Sequence, residues 1–506
     1  VEHILQVYGS QAADIPEAIR MCIQDYYYSH AVRYVLLIGG VDPDGLSHPA
    51  QLWYDWEVPI RYCYNPDNTA EYSHTPDLTP TDYYYAGLDG TWDSDGDGYY
   101  GESSSYSIED EADWYPEVYV GRLTAYTTDY TGGVDILGNY ISKLQRFASA
   151  TPSQKFLLLG AISNYWNEDA DCDGWPDFPD ETYETDEADL KDQIISSLVP
   201  ESMTCITLYE RDGTLAEENV ISVINSENPL LVNFAGHGGV QELCRKWGYD
   251  TDGDGLIEGE GCGNEIQWGA ALTVGSAYSY LTGNTPFIIY ASACLTTYID
   301  HPEYFSIADV LTMWCTGGAI AYIGGVRVTW YIPGTYHLLG LNGALDYLFW
   351  EMFFQEESTP GAALYLSKLY YAQYASEELE DEGQRKDLLA YILLGDPAAV
   401  AGGGGPPQPP EHANWTFMVY LDADNDLEEY GIDDIDEMEL VGSSDYVNIV
   451  VQIDRIEGYD ESNGGWTTAR RYYVTKDSSA NHLITSYLSL IHISEPTRPR
   501  LISYAV

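Results

Sequence analysis

Two residues of this 506-residue chain have the chemistry of a nucleophile and a base, and each follows a strand-like run. His237 comes after Pro229-Leu-Leu-Val-Asn-Phe-Ala235, within Gly236-His237-Gly238-Gly239. Cys294 comes 57 residues later, after Pro286-Phe-Ile-Ile-Tyr-Ala-Ser-Ala293. A free thiol titrates near about 8.5, so it needs a neighbouring base or cation to attack at neutral pH. Glycines around His237 let other backbone come close and leave amide groups accessible. One histidine and one cysteine are by themselves more often structural than catalytic, and their placement after apolar strands among small residues brings the two readings to parity. Short apolar runs opened by proline suit strands buried on both faces of a parallel sheet, and ligands collect outside the carboxyl ends of such strands. If these two strands are neighbours, His237 and Cys294 face each other there.

The rest of the chain supplies a sheet to hold them. Helical spacing predicts a helix over residues 14–30, with Pro16 in its first turn. Residues 34–38, 117–122, 156–162, 205–209 and 319–324 read as strands, and 129–148, 187–198, 215–225 and 305–315 as helices. Strands alternating with helices imply an α/β fold, a parallel sheet flanked by helices. The expected organisation is a first subdomain over 1–150 and a second over 151–400 that carries His237 and Cys294. Residues 401–413, opening AGGGGPPQPP, read as a linker by composition. A second α/β unit begins in 414–487 and is incomplete where it stops. Val1 opens on what reads as the middle of a domain, so a truncated start is expected. Leu488–Arg498, LSLIHISEPTR, looks like the translation of a transposon-end adapter from sequencing libraries, and 488–506 are set aside as an artefact tail.

Composition narrows the partners. With 81 acidic against 21 basic residues and a formal charge of −60, the chain has nothing to neutralise phosphates at scale, so nucleic acid is excluded as a partner. Bound divalent cations, a saline habitat, or solubility through repulsion each account for the charge. The 46 tyrosines suit protein or carbohydrate surfaces equally. No apolar stretch is long enough for a membrane span. Eight cysteines include no CxxC pair, which argues against a zinc ribbon or thioredoxin-type site. If Cys294 is free, seven remain and at least one more is unpaired; Cys244 and Cys262 flank an acidic loop and are a pair able to staple it.

Three segments share the grammar of a calcium loop, carboxylates at positions 1, 3 and 5 with glycine at 6. They contain Asp93, Asp95 and Asp97; Asp169, Asp171 and Asp173; and Asp250, Asp252 and Asp254. Position 7 would offer the carbonyls of Tyr99, Trp175 and Leu256, with Asp177 and Asp180 continuing the second loop and Glu258 the third. Solvated acidic loops binding nothing are the bland alternative. Three copies favour structural Ca2+, and no organic cofactor is implied. Asp422, Asp424 and Asp426 share the spacing without the glycine.

VNFAGHGG followed by IIYASACLTTYID resembles the gingipain-type cysteine peptidases, which have a caspase-like fold. VLLIGG at Val35–Gly40, TDYYYAGLDG at Thr81–Gly90, YVGRL at Tyr119–Leu123, FSIADVLTMWCTGGAIAYIGGVRVTW at Phe305–Trp330 and LLGDP at Leu393–Pro397 extend the likeness, in order, over about residues 1–400. The resemblance implies a hydrolase acting on protein or peptide substrates, secreted or at the cell surface. It implies His237 as base and Cys294 as nucleophile, through a thioester acyl-enzyme. The amides of Gly238 and Cys294 would form the oxyanion hole, and Trp330 an aromatic wall of the S1 pocket. Asp186, Glu187 and Asp189 are alternatives for an S1 carboxylate conferring preference for Arg or Lys. The chain departs from the family pattern in the acidic insertion at 249–263, and no acid orienting His237 is identifiable; Asn164 and Glu168 are in the neighbourhood. Residues Trp415–Asp477 resemble the opening of the clostripain family. A catalytically silent surface module of the same fold, binding protein or glycan, is the competing expectation.

Overall fold

The computed structural model describes residues 1–30, 32–39, 58–65, 78–102, 110, 112–125, 134–178, 180–282, 285–301, 303–334, 340–356, 359–374 and 382–400. Towards the C-terminus it describes 415–425, 427–444, 447–456, 459, 463, 469–476, 484 and 486–490. The expected 401–413 linker, Asp426 and residues 491–506 lie outside the described residues. The chain divides into two compact units, one of Val1–Trp114, Val118–Phe354 and Ser358–Gly404, the other of Tyr115–Glu117, Gln355–Glu357 and Gly405–Val506. Among the described residues no helix is long and apolar enough to cross a membrane.

In chain order the strands that frame the site are β1 (Tyr34–Ile38), β2 (Tyr119–Leu123), β3 (Lys155–Gly160), β4 (Thr204–Tyr209) and β5 (Leu231–Ala235). There follow β6 (His237–Gly239), β7 (Glu242–Gly248), β8 (Ile266–Thr273), β9 (Phe287–Ser292), β10 (Ala319–Gly325) and β11 (Tyr391–Gly395). Eight of them make one sheet in the order β1-β2-β11-β10-β9-β5-β3-β4, so both expected subdomains feed a single sheet. The α/β class expected from sequence holds, with one difference: the sheet is mostly rather than wholly parallel. β11 runs antiparallel to β10 but parallel to β2, so two parallel blocks meet at that seam. The seam needs glycine. Gly395 has φ +128°, and a Cβ there would come 2.2 Å from the carbonyl of Ile320, while one on Gly121 would come 2.3 Å from the carbonyl of Gly395. This explains the glycines of YVGRL and LLGDP in packing terms.

Every residue of β5 and of β9 is buried, as their unbroken apolar runs demand. The two strands are hydrogen-bonded neighbours, with Ala235 opposite Ser292, so His237 and Cys294 emerge at the same end of the sheet. One polar side chain interrupts β5. Asn233 donates to the carbonyl of Tyr290 at 3.2 Å and to Asp346 at 2.9 Å, and Asp346 pairs with Lys191 at 2.6 Å. The pair is fully buried and ties the helices Glu187–Ser197 and Leu341–Glu351 to the central strands.

The second unit has a four-stranded sheet, β12 (Trp415–Ala423), β13 (Val447–Arg455), β14 (Arg470–Tyr473) and β15 (Tyr487–Leu490), with the helix Glu428–Glu439. β12 and β13 are parallel. β15 runs three residues into the stretch that the sequence reading sets aside.

Lys191→Met removes one partner of a buried ion pair and should destabilise the fold by about 3–5 kcal/mol in urea unfolding. Lys191→Met combined with Asp346→Leu should recover much of that loss; a single variant as stable as wild type would mean the pair holds nothing together.

Candidate active site

His237 and Cys294 line one cavity of about 400 Å3. Its walls include Ser163, Glu187, Gly238, Cys244, Trp268, Thr329, Trp330 and Tyr331. Gly238 explains how the two come together. A Cβ at this position would lie 2.3 Å from the carbonyl oxygen of Cys294 and 2.9 Å from Ala293 Cβ and Thr296 Cγ2. The ribbon carrying His237 therefore rests directly on the backbone of the nucleophile turn, which only glycine allows.

The turn after Cys294 is itself strained. Leu295 has φ +60°, a left-handed conformation that costs a side-chain-bearing residue about 1–2 kcal/mol. It is held by Leu295 N–H on the carbonyl of Arg327 at 3.1 Å and Thr297 N–H on Gly325 at 3.0 Å. Behind them the Arg327 guanidinium grips both oxygens of Asp300, at 2.8 and 2.6 Å. The Cys294 sulfur meets Thr329, whose N–H donates to it at 3.4 Å and whose hydroxyl lies 3.7 Å away. Asn342 donates to that hydroxyl at 3.0 Å and in turn accepts from Tyr391 at 2.9 Å. Burial pushes the thiol above its ordinary value, and the Thr329 donors pull against that.

His237 is held by a backbone carbonyl. Its Nε2 is 2.8 Å from the oxygen of Ser163. A carbonyl only accepts, so Nε2 carries the proton and Nδ1 is the basic nitrogen. Burial, helped by the positive charge of Lys246, pushes the imidazole down to about 4, and the Ser163 bond works in the other direction. The ring is flanked edge-on by Trp268 at 5.0 Å and Tyr331 at 6.4 Å between centroids. Neither neighbour suggested by sequence bonds to it: Asn164 holds Tyr331 and Tyr183, while Glu168 holds Lys246 at 2.7 Å.

Of the three acids at the start of the helix Glu187–Ser197, Glu187 lines the cavity, 7% exposed, and accepts from the Ser163 hydroxyl at 2.6 Å. Asp186 caps that helix through Ala188 N–H, and both Asp186 and Asp189 face Arg211, at 3.3 and 2.6 Å. Trp330 lines the cavity 42% exposed, its N–H on Asp387 at 2.9 Å.

The acidic loops gather carboxylates in part as expected. Asp169, Asp171 and Asp177 cluster, as do Asp250, Asp252 and Asp254. Asp93 and Asp95 meet Asp110, and Asp95 and Asp97 meet Glu102; Asp110 had no sequence signal because it lies outside the loop. Glu258, expected in the third loop, has its carboxylate beside Asp169 of the second. Asp173 accepts from Trp175 N–H, and Asp180 caps the short turn Glu181–Tyr183. The Tyr99 and Trp175 side chains are exposed, and Leu256 donates its N–H to Asp254.

The expected Cys244–Cys262 staple is corrected. Cys262 is bonded to Cys172, and Cys244 is free, as are Cys22, Cys63, Cys205, Cys294 and Cys315. The reason is local pairing: Ile257–Glu258 runs parallel to Glu168–Asp169, which draws the second and third acidic loops together. Cys244 lies across the ribbon from His237 instead.

Between about pH 4 and 6.5 an unfolded chain binds a proton on residue 237 that the folded one refuses, so this site lowers stability as pH falls through that window. Unfolding followed from pH 7 to 4 should show the loss, and His237→Gln should flatten it; an identical slope in the variant would contradict the assignment.

Residues 1–401 match the family described as Peptidase family C25. Three solved structures are similar at low identity. The Arg-specific cysteine proteinase gingipain R aligns at TM-score 0.48 and 14% identity, over 78% of this chain and 71% of that one. The complex of RgpB pro- and mature domains from Porphyromonas gingivalis aligns at 0.47 and 13%, over 79% and 72%. A structure described only as a protease aligns at 0.46 and 14%, over 96% and 84%. No functionally curated protein matches the chain in sequence. With the family matched over most of its length, the chain belongs to peptidase family C25, a family of cysteine peptidases.

Proposed function

We propose that the chain is a cysteine endopeptidase in which Cys294 attacks the scissile carbonyl and His237 moves the proton. The observation that carries this is the convergence of a neutral imidazole and a free thiol in one cavity, with Gly238 lying against the backbone of the nucleophile. Nδ1 accepts the thiol proton as sulfur bonds to carbon, and the Thr329 N–H and hydroxyl solvate the sulfur as charge develops. The amides of Gly238 and Cys294 stabilise the tetrahedral oxyanion. The imidazolium then protonates the leaving amine, and water activated by the same ring hydrolyses the thioester.

Glu187 supports a preference for Arg or Lys at P1. It is a nearly buried carboxylate lining the cavity beside an exposed tryptophan, and a guanidinium or ammonium would neutralise it. Asp186 and Asp189 are engaged by Arg211, which favours Glu187 among the three. Calcium would be structural. The all-oxygen clusters of Asp169, Asp171 and Asp177, of Asp250, Asp252 and Asp254, of Asp93, Asp95 and Asp110, and of Asp95, Asp97 and Glu102 suit a hard cation, which would relieve their mutual repulsion. Cys262 is consumed in a disulfide and offers no thiolate. That disulfide also favours an oxidising destination, outside the cell or on its surface.

Fluorogenic peptides with Arg, Lys, Asp or Asn at P1 test the reading. Cleavage should follow Arg or Lys and vanish in Cys294→Ala; activity surviving that change would sink the mechanism. Glu187→Gln should cost roughly 30- to 1000-fold in kcat/KM on basic P1 residues and far less on neutral ones. With the base titrating at about 4, kcat/KM should hold down to about pH 5 and then fall as His237 protonates. A limb near 6.5 would mean the imidazole is not desolvated. Chelation should lower the melting temperature; equal values with and without chelator would remove the calcium proposal.

A further inference from the structure

Resting on the peptidase reading, we infer that Trp268 walls a leaving-group subsite, S1′, that takes large apolar or aromatic side chains. Trp268 lies on β8, outside every motif that the sequence singles out. In the ribbon β6–β7–β8, His237 is opposite Cys244, and Lys246 is opposite Trp268. Opposed residues share a face, and so do residues two apart, so His237, Cys244, Lys246 and Trp268 all project to one side. The indole meets the imidazole edge-on with 5.0 Å between centroids, and it lines the catalytic cavity.

Reaction geometry decides which part of a substrate it meets. After attack, His237 must pass its proton to the departing amine, so that nitrogen comes within hydrogen-bond reach of the ring. The side chain next to that nitrogen belongs to P1′, and it projects from the backbone beside the imidazole. Trp330 borders the same cavity and follows Thr329, whose N–H meets the Cys294 sulfur. Trp268 borders it at the histidine.

The indole is also built to stay put. It is 56% exposed, an unusual amount for a tryptophan in a cavity wall. Behind it the Lys246 ammonium lies 5.4 Å from the ring centroid, and Lys246 itself is 2% exposed. Both oxygens of Glu168 hold that ammonium, at 2.7 and 3.0 Å. Glu168 belongs to the short strand paired with Ile257–Glu258 next to the Cys172–Cys262 bond. A ring fixed from behind and open in front offers apolar area with little ordering cost, which suits an aromatic or branched aliphatic partner.

Internally quenched peptides of one sequence, Arg at P1 and Phe, Leu, Ala, Gly or Asp at P1′, test the subsite. Wild type should favour Phe and Leu over Gly by roughly 5- to 30-fold in kcat/KM. Trp268→Ala should reduce that ratio to within about twofold, and Trp268→Phe should keep most of it. A Trp268→Ala enzyme that loses equally on all five peptides, or changes its preference at P1 instead, overturns the assignment. Binding separates this from the parent reading. Saturation-transfer NMR on Cys294→Ala should detect phenylalaninamide but not glycinamide, and the signal should disappear when Trp268→Ala is added. A protein that cleaves no peptide yet binds phenylalaninamide through Trp268 would overturn the peptidase reading alone, and absence of that binding overturns the subsite.

Discussion

The contact between the Gly238 backbone and the carbonyl of Cys294 is the constraint that the site depends on. Two strands deliver a histidine and a cysteine to the same end of a sheet, but a sheet fixes positions only at its hydrogen bonds. Beyond Ala235 and Ser292 the chain leaves the ladder. What lets the ribbon of His237 settle on the turn of Cys294 is a missing Cβ, which allows one backbone to lie on another. The strained turn at Leu295 serves the same end. Its cost is met by the backbone bonds to Arg327 and Gly325 and by the buried Arg327–Asp300 pair, so Cys294 rides on a rigid corner rather than a loop.

The electrostatics follow from that rigidity. Sulfur and imidazole are both drawn toward their neutral forms by burial, and among the described residues the imidazole's hydrogen-bond partner is the Ser163 carbonyl rather than a carboxylate. A carbonyl fixes the tautomer without adding charge. Donors for the sulfur come from Thr329, one residue before the tryptophan that borders the same cavity.

Much of this was legible in the sequence, because burial on both faces of a strand leaves an unbroken apolar run. β5 and β9 could be read within two residues at either end, and so could the helix Glu187–Ser197. Glycine-flanked His237 and Cys294 were legible for the same reason, being the first polar groups after such runs. What stayed hidden depends on contacts between segments far apart. The antiparallel seam at β11 is a property of strand order, which periodicity does not encode. Ser163 acts through its carbonyl, which every residue has. Trp268 carries no signal of its own, since the long connection between β7 and β8, residues 249–265, conceals the register of the ribbon. The disulfide was misassigned because nearness in sequence stood in for nearness in space, whereas pairing of Glu168–Asp169 with Ile257–Glu258 decides it.

That bond joins positions 90 residues apart, and between them lie β4, β5, β6 and β7. The two acidic loops are consequently one appendage with two roots, one before and one after His237. Neither root could be gained or transplanted alone without leaving a stray thiol and an unpaired strand edge. In a comparison of related chains, Cys172 and Cys262 should therefore be inherited or lost as a unit, together with the lysine and glutamate that tie the appendage to the ribbon. For anyone building a minimal version of this catalytic core, the loops are a single removable part, and the cut must be made in two places.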